Sequence, residues 1–202
     1  MPEKPVIIAT RGSALALTQA NLIFDACREV FPRLAFEVKI IKTTGDKLQT
    51  ASLAKAGDSI PKGLFTKELE VALVRQKADL AVHSLKDLPT GLPAGLKMGA
   101  TPKREDVRDV LIYKSEAGFS GKLSQIREGG LIGTSSTRRE AQLRGRRPDL
   151  RFEEIRGNVP TRLEKLAEND DLDGTVLAAA GLNRLNFTIS SDGLLEGDAV
   201  PD

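Results

Sequence analysis

Tryptophan is missing from this 202-residue chain, and tyrosine, histidine and cysteine occur once each. Aromatic residues make up only 4% of the sequence, whereas proteins that bind single-stranded nucleic acids stack bases on aromatic side chains. A single cysteine excludes an internal disulfide, and one cysteine with one histidine cannot supply the ligands of a zinc site. We therefore expect neither a bound metal nor a nucleic-acid partner.

Long apolar runs are also missing. No stretch approaches the roughly 20 apolar residues that a membrane-spanning helix needs, and the start of the chain lacks the apolar core of a signal peptide. The net charge is only +2, so the sequence does not indicate a general polyanion binder, and with 40% hydrophobic residues it can bury one or two cores. These features predict a cytoplasmic protein without a membrane partner, and we expect a monomer.

Short apolar runs alternate with segments of helical periodicity along the chain. Val6–Ala9 is typical of a buried parallel strand, and Ala14–Val30 of the helix that follows it, with Ser13 as its N-cap. This alternation predicts an α/β fold with strand–helix–strand units. Further strands are predicted at 36–41, 79–82, 96–100, 110–113, near 131, and at 151–155 and 174–177, and further helices at 64–76, 123–127, from 137, at 159–168 and through 180–185.

The series of strands and helices begins again near residue 102. ATRGSALALTQA and IGTSSTRREAQL both run from a strand through a Gly/Ser/Thr turn into a helix, with arginine at the junction. We predict two similar α/β domains, residues 1–101 and 102–187, that face each other across a ligand cleft, followed by an irregular tail at 188–202. The polar connection 43–63 is predicted to be either a flexible solvated loop or a mobile lid that carries cations over the site.

Arginine is concentrated between residues 131 and 162. The turn at 133–136 is predicted to cap a helix that starts near Thr137, where unpaired N–H groups and the helix dipole favour an anion. Arg138 and Arg139 fall in the first turn, where a purely structural helix prefers acids, so a bound negative group is predicted beside them. Arg156 and Arg162, at the next junction, receive the same interpretation, whereas Arg144, Arg146 and Arg147 are expected to form a solvated basic face.

The segment His83-Ser84-Leu85-Lys86-Asp87 directly follows a predicted strand. Its only acid, Asp87, is placed to stabilise a developing cation or to move a proton; the alternative is a turn aspartate that bonds its own backbone before Pro89. A Ser-His-Asp triad is disfavoured because no G-x-S-x-G sequence accompanies the histidine, and nucleotide-binding glycine motifs are absent. The residues alone indicate a cleft for a small molecule with several negative groups.

Seven segments carry a further signal: ATRGSALALTQA, KGLFTKELEVALV, DLAVHSLKDLPT, REDVRDVL, IGTSSTRREAQL, RRPDLRFEEIRGNVPTRLEKL and LAAAGLNRL. In this order they closely resemble the porphobilinogen deaminase family, also called hydroxymethylbilane synthases, up to about Leu185. The resemblance implies a transferase of tetrapyrrole (haem) biosynthesis that joins four porphobilinogen molecules into hydroxymethylbilane and releases ammonia. It also implies a covalently held dipyrromethane cofactor.

The resemblance assigns roles to individual residues. Asp87 would be catalytic, contacting pyrrole N–H groups and assisting both loss of ammonia and carbon–carbon bond formation. Cofactor carboxylates would be held by Lys86, Arg138 and Arg139, with help from Ser84, Thr134, Ser135 and Ser136. Substrate or the growing chain would be bound by Arg11, Ser13, Gln19, Lys55, Lys62, Arg156, Arg162 and Arg184. Arginine suits this task because each pyrrole carries an acetate and a propionate, and guanidinium groups bind carboxylates with two parallel hydrogen bonds.

Two features depart from the family pattern. The predicted loop reads AGDSIPKG where family members usually have a shorter, glycine-rich form. The family's third domain, which carries the cofactor-bearing cysteine after a PAVGQG-like segment, is not found in this sequence. Cys27 is expected to be a packed core residue and does not match that cysteine. We therefore expect a truncated form with little activity alone.

Two alternatives to an enzyme remain open. The predicted architecture, two similar periplasmic-binding-protein-like α/β domains with a cleft between them, also suits a non-catalytic binding protein for a polycarboxylate small molecule. Such a protein would bind porphobilinogen without releasing ammonia. A regulator that grips phosphate through the arginine helix would instead bind nucleic acid with a steep dependence on salt.

Overall fold

The computed structural model describes residues 4–46, 63, 65–114, 122–198 and 200. The chain divides into two compact units, which we call unit 1 (Met1–Pro102) and unit 2 (Lys103–Asp202). Each unit combines its own β-sheet with packed helices, so the predicted α/β class is confirmed. Among the described residues, no helix has both the length and the apolar character needed to cross a bilayer.

Unit 1 contains a three-stranded parallel sheet of order β2-β1-β3. Helix α1 begins at the residue predicted from its periodicity, directly after a serine cap, whereas α2 is shorter than the predicted 64–76. The elements are β1 (Val6–Thr10), α1 (Ala14–Val30), β2 (Phe36–Ile40), α2 (Lys67–Val74) and β3 (Leu80–Ala81).

Strand β1 lies at the centre of unit 1. Successive side chains of a strand point to opposite faces of its sheet, and Ile8 and Ala9 are both fully buried, so β1 is covered on both faces. Ala9 packs in one cluster with Leu69 of α2, whereas α1 lies against β1 and β2. The C-terminal end of α1 is less buried than predicted, because Cys27 is only half-buried and Val30 is 68% exposed.

Unit 2 contains a four-stranded mixed sheet of order β4-β7-β5-β6 and a separate two-stranded sheet. Three helices accompany these strands. The elements are β4 (Asp109–Tyr113), β5 (Leu131–Gly133), α3 (Thr137–Arg146), β6 (Arg151–Glu153), α4 (Val159–Glu168), β7 (Gly174–Ala178), α5 (Ala179–Arg184), β8 (Thr188–Ile189) and β9 (Leu195–Glu196).

The sheet of unit 2 is mixed because β4 runs antiparallel to β7, whereas β5, β6 and β7 are parallel. Strand β7 is the most buried strand of unit 2, and its adjacent residues Val176 and Leu177 belong to different core clusters. Since neighbouring side chains point to opposite faces, the sheet is packed on both sides. The carboxyl ends of β5 and β7 lie at one edge, which is where α3 and α5 begin.

Besides the shorter α2, three predicted elements differ from the structure. The helix predicted at 123–127 is a single 3₁₀ turn, Leu123–Gln125. No strand forms at 96–100; this stretch is largely exposed and follows a turn in which Leu96 N–H donates to the Pro93 carbonyl at 3.1 Å. The tail, predicted to be irregular from residue 188, contains the β8–β9 hairpin. Gly193 allows the hairpin turn, because its φ of 88° is a conformation that residues with a Cβ rarely adopt.

Candidate functional site

Both strand-to-helix junctions predicted from the sequence are present, one in each unit. In unit 1 the chain leaves β1 at Thr10 and enters α1 through Ser13, whose hydroxyl accepts a hydrogen bond from the Ala16 N–H at 3.4 Å. The buried Thr10 hydroxyl donates to the Ala16 carbonyl at 3.1 Å. These bonds fix the path of the turn and leave Arg11 at its outer side.

Arg11 is held between an acid and an aromatic ring. Its Nε donates to Asp46 Oδ1 at 3.1 Å, and its Nη2 donates to the same oxygen. The guanidinium also stacks over the Phe65 ring, 4.2 Å from the ring centre. Only 14% of the Arg11 side chain remains exposed, so this arginine is largely neutralised and covered within unit 1.

Asp46 is anchored by its own neighbours. Its Oδ2 accepts from the buried Thr43 hydroxyl at 2.7 Å, and the Thr43 hydroxyl accepts from the Asp46 N–H at 3.2 Å. Partial burial alone would raise the pKa of Asp46, but the hydrogen bonds from Arg11 and Thr43 outweigh burial and lower it. Residues 43–46, predicted to begin a polar loop, are therefore a built part of this site.

The segment that carries Asp87 follows β3 as predicted. Leu85–Asp87 forms one 3₁₀ turn, in which the Asp87 N–H donates to the Ser84 carbonyl at 2.9 Å. The Ser84 hydroxyl donates to Gln19 Oε1 of α1 at 2.9 Å, which ties the segment to the first helix. Asp87 is half-buried and Lys86 is exposed.

The pKa of His83 reflects the charges that lie around it, including that of Asp87. Burial lowers the pKa of His83, the nearby Arg11 charge acts in the same direction, and Asp87 and Glu70 act against them without reversing the shift. The histidine is therefore neutral near pH 7 and lies close enough to Asp87 and Arg11 to sense both charges. The predicted candidates Arg11, Ser84 and Asp87 thus belong to one neighbourhood of unit 1.

The junction of unit 2 follows β5 and is built from hydroxyl groups. Thr134 is buried, its N–H donates to the Glu153 carbonyl at 2.9 Å, and its hydroxyl accepts from the Ser136 N–H at 3.2 Å. Ser136 caps α3, as its hydroxyl accepts from the Arg139 N–H at 3.4 Å. The Ser135 hydroxyl donates to the Ile155 carbonyl at 2.7 Å. The predicted hydroxyl-rich cap therefore exists, with part of its capacity used internally.

Arg138 and Arg139 share one carboxylate. Arg139 grips Asp109 with two hydrogen bonds, Nη2 to Oδ1 at 2.7 Å and Nε to Oδ2 at 3.1 Å, and its Nη1 donates to the Val176 carbonyl at 2.8 Å. Arg138 reaches Asp109 only through contacts of 3.4 Å. Burial would raise the pKa of Asp109, but Arg139 and then Arg138 lower it. Arg139 is 13% exposed and Arg138 is 63% exposed.

The next junction, between β6 and α4, positions two more arginines. Asn158 caps α4 by accepting from the Thr161 N–H at 2.9 Å. Gly157 before it has a φ of 127°, and an added Cβ would lie 2.8 Å from Thr161 Cγ2, so this turn requires glycine. Arg156 precedes the turn, and Arg162 folds back on it, its Nε donating to the Gly157 carbonyl at 2.9 Å.

Positive charge accumulates in this part of unit 2. Burial lowers the pKa of Arg162, and the neighbouring Arg139 and Arg156 charges lower it further. Arg156 pairs with Glu154, which is 61% exposed, yet its Nε is buried without a hydrogen-bond partner among the described residues, as is the Nε of Arg184. Buried donors without partners are rare in folded proteins, so these two Nε groups are an unusual feature of unit 2.

One depression beside the α3 junction is not suited to an anion. It has a volume of about 180 Å³ and includes Thr134 and Ser135. Its other walls carry the side chains of Glu140, Glu153 and Glu154, which would repel a carboxylate.

The structure corrects one prediction within the arginine-rich segment. Arg147 is not part of a solvated face, since it is 19% exposed, pairs with Asp149 at 2.6 Å and donates to the Leu123 carbonyl at 2.8 Å. Arg144 is exposed and pairs with Glu140 one turn earlier, as expected for a solvated helix face. Lys55 and Lys62, predicted to bind substrate, lie outside the described residues.

Sequence reasoning missed the two aspartates that hold the junction arginines. Asp46 lies 35 residues from Arg11, and Asp109 lies 30 residues from Arg139. One signal was available: an arginine beside a helix start is costly without a negative partner, so a search for nearby acids at the ends of other strands would have included Asp109, at the first residue of β4. Nothing comparable marks Asp46.

Comparisons with known proteins agree with this picture. Residues 6–201 match the family model described as "Porphobilinogen deaminase, dipyromethane cofactor binding domain". A porphobilinogen deaminase of Bacillus velezensis is 48% identical over 184 residues, which is 91% of this chain and 56% of that protein. The corresponding protein of Clostridioides difficile is 46% identical over 195 residues (96% and 62%), and that of Desulforudis audaxviator 51% over 185 residues (92% and 57%). The chain thus spans 56–62% of the length of these curated relatives.

Proposed function

Because this chain belongs to the porphobilinogen deaminase family, we propose that it acts in joining four porphobilinogen molecules into hydroxymethylbilane with release of ammonia. The observation that carries this proposal is the group of crowded, part-buried arginines in unit 2. Burial lowers the pKa of Arg162, and the two guanidinium groups of Arg139 and Arg156 lie close enough to lower it further. Two buried Nε donors, on Arg156 and Arg184, have no partner among the described residues. Crowded like charges with unused donors are destabilising unless a ligand brings negative charge.

The chemistry of the substrate explains why arginine is used. Porphobilinogen carries an acetate and a propionate, and each further unit adds two more carboxylates. A guanidinium group binds a carboxylate through two parallel hydrogen bonds and stays charged at any physiological pH. In this proposal Arg156, Arg162 and Arg184 of unit 2 hold the substrate or the growing chain, together with Arg11, Ser13, Gln19, Lys55 and Lys62 of unit 1.

Asp87 is proposed as the catalytic carboxylate. When ammonia leaves the aminomethyl carbon of porphobilinogen, positive charge spreads into the pyrrole ring, and a fixed carboxylate beside the ring N–H stabilises that charge. The Asp87 segment suits this role because its backbone is fixed in a 3₁₀ turn and is tied to α1 through Ser84 and Gln19. The neutral state of His83 leaves the Asp87 charge without a cationic imidazole beside it.

The donor groups at the α3 junction suit a dipyrromethane cofactor, the group named in the description of the matched family model. The guanidinium of Arg138 makes only long contacts of 3.4 Å with Asp109, so its N–H groups are largely available. Each Nη of Arg139 has a second hydrogen that the bonds to Asp109 and Val176 do not use. The start of α3 also favours negative charge. The Ser135 hydroxyl already donates to a carbonyl, so it contributes less than Thr134 or Ser136, and Lys86 and Ser84 are proposed to assist from unit 1. When bound, this group supplies the primer on which the pyrrole chain grows.

Several broader features are part of the same proposal. We propose that the two units form similar periplasmic-binding-protein-like domains, close to the predicted ranges 1–101 and 102–187, with the ligand in a cleft between them. We also propose a cytoplasmic monomer that has no nucleic-acid partner and no bound metal. These features follow from the sequence reasoning and from membership of the family.

One titration tests the proposed function. Porphobilinogen is added to the 202-residue chain in a calorimeter, and ammonia is measured in the same sample with the chain in excess, so that release well below one turnover is detected despite the little activity expected of this form alone. Binding together with ammonia release that is lost in Asp87→Ala supports the enzyme. Binding without ammonia release favours the non-catalytic polycarboxylate-binding protein. Absence of binding contradicts both functions for this chain.

A further inference from the structure

Asp109 has no role in the reaction as proposed so far, yet the fold places it at the centre of the arginine site. It opens β4, which runs antiparallel to β7 and pairs Asp109 with Ala178, the last residue of β7. An antiparallel strand thus brings its first residue to the edge where β7 ends. Since β5 is parallel to β7, the same edge carries the turn from β5 into α3.

The carboxylate of Asp109 lies closer to Arg139 than to Arg138. Both oxygens accept from Arg139, at 2.7 and 3.1 Å, whereas the contacts to Arg138 measure 3.4 Å. The Val176 carbonyl accepts a third hydrogen bond from Arg139 at 2.8 Å. Arg139 is therefore held by groups from two strands, β4 and β7, whereas the guanidinium of Arg138 beside it makes only long contacts.

We propose that Asp109 is a positioning residue that fixes Arg139 across the start of α3, so that Arg138 and Arg139 together receive a carboxylate of the bound ligand. Two adjacent cations at a helix N-terminus repel each other and the dipole, and the negative charge of Asp109 offsets that repulsion. The paired hydrogen bonds also remove rotational freedom from Arg139 before the ligand arrives. This inference rests on the proposed carboxylate-binding function of unit 2.

A residue that merely competed with the ligand would have the opposite effect. To free Arg139 for a ligand, a competing Asp109 would have to break two hydrogen bonds, and its removal would then increase affinity. A positioning residue keeps these bonds in the complex, and its removal decreases affinity. Replacement of Asp109 by asparagine, which keeps the shape and removes the charge, distinguishes the two directions.

The first part of the test needs no ligand. Nuclear magnetic resonance of the arginine Nε–H groups measures how fast each proton exchanges with water. In the unaltered chain the Nε proton of Arg139 is expected to exchange more slowly than that of Arg138, and in Asp109→Asn the two rates are expected to converge. Equal rates in the unaltered chain, or a rate for Arg139 that does not change in Asp109→Asn, would overturn the inference.

The second part measures, by calorimetry, the affinity for a free dipyrromethane that bears acetate and propionate groups, the class of ligand proposed for Arg138 and Arg139. Loss of a hydrogen-bonded charge is expected to weaken binding about tenfold in Asp109→Asn, with partial recovery in Asp109→Glu. The matched control is Asp106→Asn, because Asp106 also pairs with an arginine, Arg108, at 2.5 Å, but that arginine is 80% exposed and is not a residue of α3. The control should bind as the unaltered chain does, and thermal unfolding of each variant checks the fold.

A double-mutant cycle decides whether Asp109 acts through the arginine. In an Arg139→Gln background the Asp109→Asn change is expected to cost no further affinity, whereas a general structural effect would persist there. Unchanged or increased affinity of Asp109→Asn, with normal binding by the unaltered chain, overturns this inference and leaves the proposed function standing. If the unaltered chain does not bind the dipyrromethane, the proposed cofactor site fails, and the exchange rates alone decide whether Asp109 fixes Arg139.

Discussion

The two strand-to-helix junctions use the same parts in different order. In unit 1 the arginine precedes the serine cap, so Arg11 lies outside α1 and is covered by Asp46 and Phe65. In unit 2 the arginines follow the cap, so Arg138 and Arg139 lie inside the first turn of α3 and share a single aspartate. At the junction of unit 1 one arginine is thus paired with one carboxylate, whereas at the junction of unit 2 two arginines share one carboxylate.

The excess of positive charge in unit 2 is larger still at its second junction, between β6 and α4. Arg162 lies near both Arg139 and Arg156, and burial together with these two neighbours lowers its pKa. Unit 1 instead gathers acids beside its arginine, since Asp87, Glu70 and Arg11 all act on the pKa of His83. In the proposed function this difference corresponds to a division of tasks, in which unit 2 would bind the anionic groups of the ligand and Asp87 of unit 1 would stabilise its cationic centre.

The largest expected effect is on ammonia release and concerns Asp87, the catalytic carboxylate proposed for unit 1. Replacing Asp87 by alanine or asparagine removes the charge that stabilises the developing cation, so single-turnover ammonia release should fall by about 10²–10⁴-fold. Porphobilinogen affinity should change much less, because the carboxylate groups of the ligand are bound elsewhere. Near-normal ammonia release by Asp87→Ala would show that another group is the catalytic carboxylate.

A smaller effect with two opposite signs is expected at Arg162. Replacing it by methionine should weaken porphobilinogen binding by about tenfold, the effect of one charge-assisted hydrogen bond. The free energy of unfolding should rise by about 1 kcal/mol, or about 2–4 °C in the midpoint, since a crowded buried charge is removed. Calorimetry and thermal unfolding measure the two quantities. A variant that loses stability would show that Arg162 holds the fold together.

Acid unfolding tests the balanced junction of unit 1. The pKa of Asp46 is lowered from its ordinary value of 3.8, so its contribution to stability is complete above that value and is lost as the pH falls through its folded-state pKa. The difference in unfolding free energy between the unaltered chain and Asp46→Asn should therefore be constant from pH 7 to 5 and narrow below about pH 4. A difference that widened toward low pH would contradict the assigned pairing with Arg11.

The smallest expected effect concerns the cap of α3. Ser136→Ala removes the side-chain acceptor for the Arg139 N–H and should lower the free energy of unfolding by about 1 kcal/mol. Ser135→Ala, next in the chain, is the comparison variant, because the Ser135 hydroxyl bonds the Ile155 carbonyl and not the helix. Urea unfolding of both variants measures the difference, and equal stability of Ser136→Ala and the unaltered chain would remove the cap from the account.

Local sequence signals predicted most of the fold. The helices predicted at Ala14–Val30 and 159–168 have the bounds that the structure shows, because caps and apolar spacing are local properties. The antiparallel direction of β4 was not predictable in this way, since strand direction depends on pairing with β7 much later in the chain. The strand predicted at 96–100 was wrong, because the two apolar residues that follow Pro93 there, Leu96 and Met98, do not by themselves ensure a partner strand.

The site was predictable for its arginines and not for their partners. Spacing at the junctions identified Arg11, Arg138 and Arg139 because helix starts follow strands in a recognisable pattern. The contacts of Arg11 with Asp46 and of Arg139 with Asp109 join residues 35 and 30 positions apart, and only the folded chain brings them together. The resemblance to the family added the role of Asp87, which its position in a turn left open.

The central claim is that unit 2 carries the surplus positive charge that binds the ligand, and one pair of affinities tests it most directly. Porphobilinogen is titrated into Arg156→Gln and into Arg11→Gln under the same salt conditions. The account predicts a loss of about tenfold or more for Arg156→Gln, and a smaller loss for Arg11→Gln, because Arg11 is already paired with Asp46. Equal losses, or a larger loss for Arg11→Gln, would contradict the division of tasks between the two units.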